Sequence, residues 1–226
     1  MRLVLSLLAL PLLINPAHSQ LLPLDHVAAG TPNSAVGRVH PGGGHCTGAL
    51  VARNLAITAA HCLYNRRTGR WLLPGSIHFL LGYDRGSYGF HTRVKDYETG
   101  GFDPNRVEET LGKDWALLRL EEKAPSEYAA LSPIRGTFPS DGLFRAAGYA
   151  TPRRYALSTT GECTALMLEG LLISECPSSD GMSGAPLIDQ ASGRLIGIQV
   201  ARMNRNGHDM MIAVPATVWT ATGVGD

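Results

Sequence analysis

The sequence predicts an all-β fold, with two β-barrels or sandwiches on either side of one linker, and three observations carry that expectation. Short β-type runs recur along the whole chain, separated by turn residues. With 26 glycines and 14 prolines in 226 residues, the chain suits short strands better than long helices. It has no internal repeat and no alternation of strand with helix, so no parallel sheet is expected.

The first residues read as a targeting segment. Arg2 supplies a positive start, and Leu3 to Ile14 is apolar except for Ser6 and Pro11. Ala17-His18-Ser19 then places small residues at the two positions that a signal peptidase reads, so residues 1–19 are expected to be removed and Gln20 to begin the mature chain. The apolar run is about a dozen residues, short of the roughly 20 that span a bilayer. Export and a secreted or periplasmic location follow.

Residues 20–35 are rich in Leu, Pro, Ala and Gly without periodicity, and read as an N-terminal arm or a short pro-segment. Residues 36–124 are expected to form the first β unit. His40-Pro41-Gly42-Gly43-Gly44-His45 reads as a loop, its two histidines being loop residues rather than metal ligands. Strands are expected at Cys46–Val51, Leu55–Thr58, Ser76–Gly82, Gly89–Lys95 and Trp115–Leu120. Residues 125–134 are the expected linker, with a helix-like patch at Ser126–Leu131.

Residues 135–226 are the second β unit. Its expected strands are Phe144–Gly148, Ala165–Glu169, Leu171–Ser174, Ala185–Asp189, Leu195–Ala201 and Met210–Val214, with a short closing helix at Pro215–Thr222. Gly170 marks a tight hairpin that sets Cys163 opposite Cys176.

Export turns the four cysteines into a disulfide question with three possible pairings. Cys46 and Cys62 are 16 residues apart and Cys163 and Cys176 are 13 apart, far from the first pair, so local pairing of each is expected. A zinc site is disfavoured because no Cys-x-x-Cys exists and the histidines are scattered. The formal net charge of +1 gives no argument for a nucleic-acid partner or a polybasic membrane surface.

Three stretches carry chemistry. His61 stands in Thr58-Ala59-Ala60-His61-Cys62, at a strand end beside a disulfide cysteine that tethers its backbone. Asp114 leads into the apolar run Trp115-Ala116-Leu117-Leu118, where a carboxylate is costly unless it has a partner such as an imidazole N–H. Ser183 lies between Gly181-Met182 and Gly184, in Asp180–Pro186, where glycines let backbone N–H groups and a hydroxyl face one point. The order His, Asp, Ser is that of the chymotrypsin arrangement.

On these residues the sequence resembles trypsin/chymotrypsin-like serine peptidases, and most resembles the bacterial, glutamyl-endopeptidase-like branch. Thr58 to Cys62 matches the family motif in full, and Asp114–Leu118 is similar to its Asp-Ile-Ala-Leu-Leu. Asp180–Pro186 corresponds to Gly-Asp-Ser-Gly-Gly-Pro with two departures, and Leu195–Ile198 resembles the strand after the nucleophile.

The resemblance implies two six-stranded antiparallel β-barrels around a catalytic cleft. It implies a serine-type endopeptidase with catalytic His61, Asp114 and Ser183, an oxyanion hole from the N–H groups of Gly181 and Ser183, and an acyl-enzyme. The pocket for the substrate side chain would be lined by Pro177, Ser178, Gln199, Val200 and Arg202. No cofactor and no metal are implied. The expected partner is a protein or peptide substrate, with no nucleic acid, no membrane after leader removal, and the chain acting as a monomer. Met182 stands where the trypsin branch has an aspartate that binds a new N-terminus, so activation of that kind is not expected. A catalytically silent binding protein and a serine esterase are the rival readings on the same fold.

Overall fold

Alternation of inward apolar and outward polar residues builds the first barrel. In the computed structural model its strands are β1 (Val36–His40), β2 (Cys46–Ala52), β3 (Leu55–Thr58), β4 (His78–Leu81), β5 (Phe90–Thr99) and β6 (Ala116–Leu120). The structure describes residues 20–220, except 26, 135, 137, 206 and 207, and only the backbone at 205 and 208. The expected leader, 1–19, and residues 221–222 of the expected closing helix lie outside the described residues. The strands pair antiparallel in the order β1-β2-β3-β6-β5-β4, and β4 returns to β1, closing the barrel. Phe79 and Leu81 of β4 and Val39 of β1 are fully buried inside it.

The second unit contains β7 (Phe144–Gly148), β8 (Leu166–Leu168), β9 (Leu171–Ser174), β10 (Pro186–Asp189), β11 (Leu195–Arg205) and β12 (His208–Pro215). Their order is β7-β10-β11-β12-β9-β8. On its other edge β7 pairs antiparallel with Ser158–Thr159, and further along the same segment Phe144 and Cys163 exchange both backbone hydrogen bonds at 2.9 Å. Glu169 and Gly170, both at positive φ, turn the β8–β9 hairpin, as such two-residue turns require. That register places Cys163 opposite Cys176, and the two form a disulfide with Cα atoms 5.8 Å apart. The second disulfide joins Cys46 and Cys62, with Cα atoms 6.2 Å apart.

One apolar core runs from the first barrel into the second unit. It joins Leu50, Ile57, Phe79 and Leu118 to Leu195, Ile198, Val200 and Val214, with Trp219 of the short closing helix α2 (Ala216–Thr220). A separate core lies inside the second unit around Phe144, Met182, Leu187 and Met211. A further helix, α1 (Val107–Thr110), continues into a 3₁₀ turn at Leu111–Lys113 that delivers Asp114 to the start of β6.

Two local expectations are corrected, and a third region gains detail. His40 is the last residue of β1, paired across the ladder with His78, and not part of the following loop. The patch Ser126–Leu131 is not helical, because its donors are taken by distant partners. Ala129 N–H donates to Ser34 Oγ at 3.2 Å and Leu131 N–H to the Leu50 carbonyl at 2.8 Å. Residues 20–35 also carry local order: Leu22–Pro23 pairs with Ser158–Thr159 at the edge of the second sheet, and Pro32–Ala35 forms a 3₁₀ turn. Among the described residues no helix is long and apolar enough to cross a membrane.

Candidate active site

The seam between the two units gathers the singled-out residues from distant parts of the chain. His61 lies in a 3₁₀ turn, Ala60–Leu63, that follows β3 directly. Asp114 stands at the foot of β6, only 1% exposed. β3 and β6 are ladder neighbours, with Thr58 opposite Ala116, so the two side chains emerge at the same end of the barrel.

Asp114 receives two hydrogen bonds from one residue. The backbone N–H of His61 donates to Oδ1 at 2.8 Å, and the His61 ring donates from Nδ1 to Oδ2 at 2.6 Å. An ionised carboxylate only accepts, so the ring proton sits on Nδ1 and the lone pair is on Nε2. Phe102, nearly buried, flanks the ring with its centroid 6.3 Å away. The imidazole keeps 23% of its side-chain surface exposed, against 2% for the carboxylate. The chemistry this permits is proton acceptance at an open nitrogen on a ring held from behind.

Ser183 is half-buried on the second unit's side of the seam, in the loop between Cys176 and β10. Its carbonyl accepts the Thr47 N–H of β2 at 2.8 Å and lies 3.9 Å from Cys62 Sγ. Both Sγ atoms of the Cys46–Cys62 bridge are also within 4.8 Å of a His61 ring nitrogen. The disulfide thus stands between His61 and the backbone of Ser183. Its sulfurs are bonded to each other and have no thiolate to offer a metal. Among the described residues no hydrogen bond joins Ser183 Oγ to the His61 ring.

Two glycines shape the loop. Gly184 has φ +82°, and a Cβ there would collide with the Thr47 carbonyl, Thr58 Oγ1 and the Ala59 backbone nitrogen. Gly181 has φ +89°, and a Cβ there would strike the Tyr149 carbonyl and the His45 ring. The N–H groups of Met182, Gly184 and Ala185 donate to backbone carbonyls, those of Ser179, Gln199 and Met182. The N–H groups of Gly181 and Ser183 have no acceptor among the described residues. A loop with two unspent donors beside a hydroxyl is what an oxyanion needs.

The expected pocket residues fall into three situations. Ser178 and Gln199 are buried and bonded to each other, Gln199 Nε2 donating to Ser178 Oγ, while Gln199 Oε1 is buried without a partner among the described residues. Pro177 is buried beside them. Val200 is the extra residue of a bulge in β11, and its side chain sits in the main core. Arg202 is half-exposed and pairs with Asp180 at 3.2 Å, three residues before Ser183. Met182 is fully buried in the second unit's core.

Sequence reasoning did not single out Thr47, Tyr149 or Thr151, which border the Ser183 loop, and it gave the Thr58 hydroxyl no role. Thr47 Oγ1 donates to the Gly181 carbonyl at 2.8 Å and accepts the Tyr149 N–H at 3.0 Å. Thr58 Oγ1 donates to the Thr47 carbonyl at 2.7 Å. His45 Nε2 donates to the Tyr149 carbonyl at 2.7 Å, and burial lowers its pKa from the usual 6.5.

A family model described as a trypsin-like peptidase domain matches residues 46–198. The chain belongs to the trypsin-like peptidase family. Over 98 residues it is 34% identical to coagulation factor XII of Cavia porcellus, covering 41% of this chain and 15% of that protein's length. Among solved structures, this trypsin-like fold matches a Glu endopeptidase in complex with MPD with a TM-score of 0.74 at 15% identity, covering 91% of this chain and 95% of the other. It matches human heparin binding protein at 0.68 and 18% identity, covering 88% and 94%. A thermostable serine protease from an extremophilic microorganism matches at 0.67 and 19%, covering 84% and 94%. At these identities the likeness is one of fold.

Proposed function

We propose that this trypsin-like chain is an exported serine endopeptidase that cleaves peptide bonds through Ser183, His61 and Asp114. The observation that carries the reading is the buried Asp114 carboxylate accepting both the backbone N–H and the Nδ1–H of His61. That arrangement fixes the tautomer in which Nε2 takes a proton.

In the proposed reaction Ser183 Oγ attacks a substrate carbonyl as its proton passes to His61 Nε2. The imidazolium is stabilised by Asp114, and the oxyanion accepts the N–H groups of Gly181 and Ser183. Collapse expels the amine, which takes the proton from His61, and leaves an acyl-enzyme. Water then attacks the acyl carbonyl, again with His61 as base, and releases the acid and the free serine. Mature protein from Gln20, secreted or periplasmic and monomeric, is part of the proposal. Two disulfides support an oxidising compartment. Pro177, Ser178, Gln199, Arg202 and the backbone of Val200 are the proposed substrate pocket.

The burial of Met182 supports activity without a new N-terminal ammonium, since a thioether in an apolar core offers no anionic partner. Labelling with a fluorophosphonate, followed by cleavage profiling on a peptide library, tests the reading. An adduct on the wild type that is absent from Ser183→Ala, together with internal peptide cleavage, is the expected result. An adduct without any peptide cleavage points to an esterase, and no adduct points to a silent binding protein; either overturns the endopeptidase.

A further inference from the structure

Thr151 sits at the start of a 3₁₀ turn, Thr151–Arg153, on the far side of the seam from His61. Both of its donors converge on one atom. The Thr151 N–H donates to the Asp180 carbonyl at 2.7 Å, and the Thr151 hydroxyl donates to the same oxygen at 2.8 Å. The Asp180 carbonyl belongs to the peptide unit whose other end is the Gly181 N–H.

That peptide is planar and trans, so its N–H points opposite to its C=O. Fixing the carbonyl therefore fixes the direction of the N–H. The next peptide is pinned as well, because Thr47 Oγ1 donates to the Gly181 carbonyl at 2.8 Å. Between the two, the Gly181 Cα is pressed against the Tyr149 carbonyl and the His45 ring, so close that a side chain has no room. Glycine at positive φ otherwise rotates its flanking peptides with little steric resistance. Here rotation of the Asp180–Gly181 unit would break two hydrogen bonds at once.

We infer that Thr151 is a positioning residue for the oxyanion hole: it holds the Asp180–Gly181 peptide so that the Gly181 N–H faces the reacting carbonyl before substrate arrives. The inference rests on the proposed role of Gly181 as an oxyanion donor. Thr151 touches no reacting atom, and its effect passes through the peptide it holds. Such a residue acts on the transition state and not on substrate binding, because the oxyanion exists only after attack.

The test compares Thr151→Val, which deletes the hydroxyl and keeps the backbone N–H, with Thr151→Ser, which restores the hydroxyl. Thr151 is only partly buried, and the thermal midpoint of each variant reports on its fold. One net hydrogen bond corresponds to a loss of up to about tenfold. The valine variant should lose about that much in kcat with KM unchanged, and should bind a peptide boronate, which forms a tetrahedral adduct, more weakly by the same factor. The serine variant should recover both. Unchanged kcat and boronate affinity in Thr151→Val, or an equal loss in Thr151→Ser, would overturn the inference while fluorophosphonate labelling of Ser183 leaves the peptidase reading standing. A wild type that neither labels nor cleaves would overturn both.

Discussion

The two halves of this molecule differ in how completely their backbones are hydrogen-bonded, and the proposed chemistry divides along that difference. The first barrel is a closed ladder of six strands, whereas the second sheet is not a closed ladder among the described residues, and β7 meets the segment 158–163 only in broken pairing, at Ser158–Thr159 and at Cys163. The closed half supplies His61 and Asp114 from adjacent strand ends, where a buried carboxylate can hold a ring in one tautomer. The less regular half supplies the loop of Ser183, where two N–H groups stay unspent among the described residues. A regular strand would have consumed those donors in its ladder. A base needs a rigid wall behind it; an oxyanion hole needs a backbone that stops short of pairing.

Variants on each side of the seam sharpen this contrast, beginning with the largest effect. Asp114→Asn keeps the shape but frees the imidazole to take the other tautomer, and should lower kcat by about 10⁴ while leaving the thermal midpoint nearly unchanged. Steady-state kinetics on a peptide substrate check it. A loss of only a few-fold would mean that the first barrel's wall is not what sets the base.

Gly184→Ala probes the closest approach of the two halves. Its Cβ would meet the Thr47 carbonyl and the Ala59 backbone nitrogen, neither of which can swing aside, in a backbone conformation that L residues avoid. A loss of about 3 kcal/mol is expected in urea unfolding, with activity falling alongside stability. Wild-type stability would show the seam to be looser than its contacts imply.

The disulfides separate the halves. Replacing either pair with serine should cost roughly 3 kcal/mol, since both loops are short and similar in length. Only removal of Cys46–Cys62 should also lower kcat of the folded protein, because that bridge stands between His61 and the Ser183 carbonyl. Cys163–Cys176 ties down a sheet edge instead, and its removal should leave kcat within a few-fold. Equal kcat in the two variants would remove the distinction.

The smallest effect is on pH. Burial lowers the pKa of His45 at the seam, and burial together with His91, His40 and Arg93 lowers that of His78 on the first barrel. The unfolded chain takes up these protons near the usual value of 6.5, while the folded chain resists them until lower pH. Stability should therefore be full above 6.5 and decline as pH falls below it, with His45→Gln reducing the decline. Thermal midpoints measured between about pH 7.5 and 5 check the sign; a midpoint that rises on acidification would contradict it.

The strands with dense apolar content, such as those expected at Cys46–Val51 and Leu195–Ala201, were legible in the sequence, as were both disulfides and the turn at Gly170. β1 was not: Val36-Gly37-Arg38-Val39 holds few apolar residues, and Gly37 is there because the Phe79 ring occupies the space of its Cβ. The Ser126–Leu131 patch misled because local pattern does not reveal a donor claimed by Leu50. Within the site, His61, Asp114 and Ser183 stand in contiguous motifs that mark themselves. Thr47 and Thr151 are single hydroxyls whose partners lie far along the chain, and nothing local announces such a bond.

Most direct of all is the cleavage rate of Ser183→Ala. The account predicts a fall of about 10⁶ in kcat, to the level left by binding and oxyanion contacts alone, with an unchanged thermal midpoint. A folded Ser183→Ala protein that cleaves peptide at the wild-type rate would contradict it.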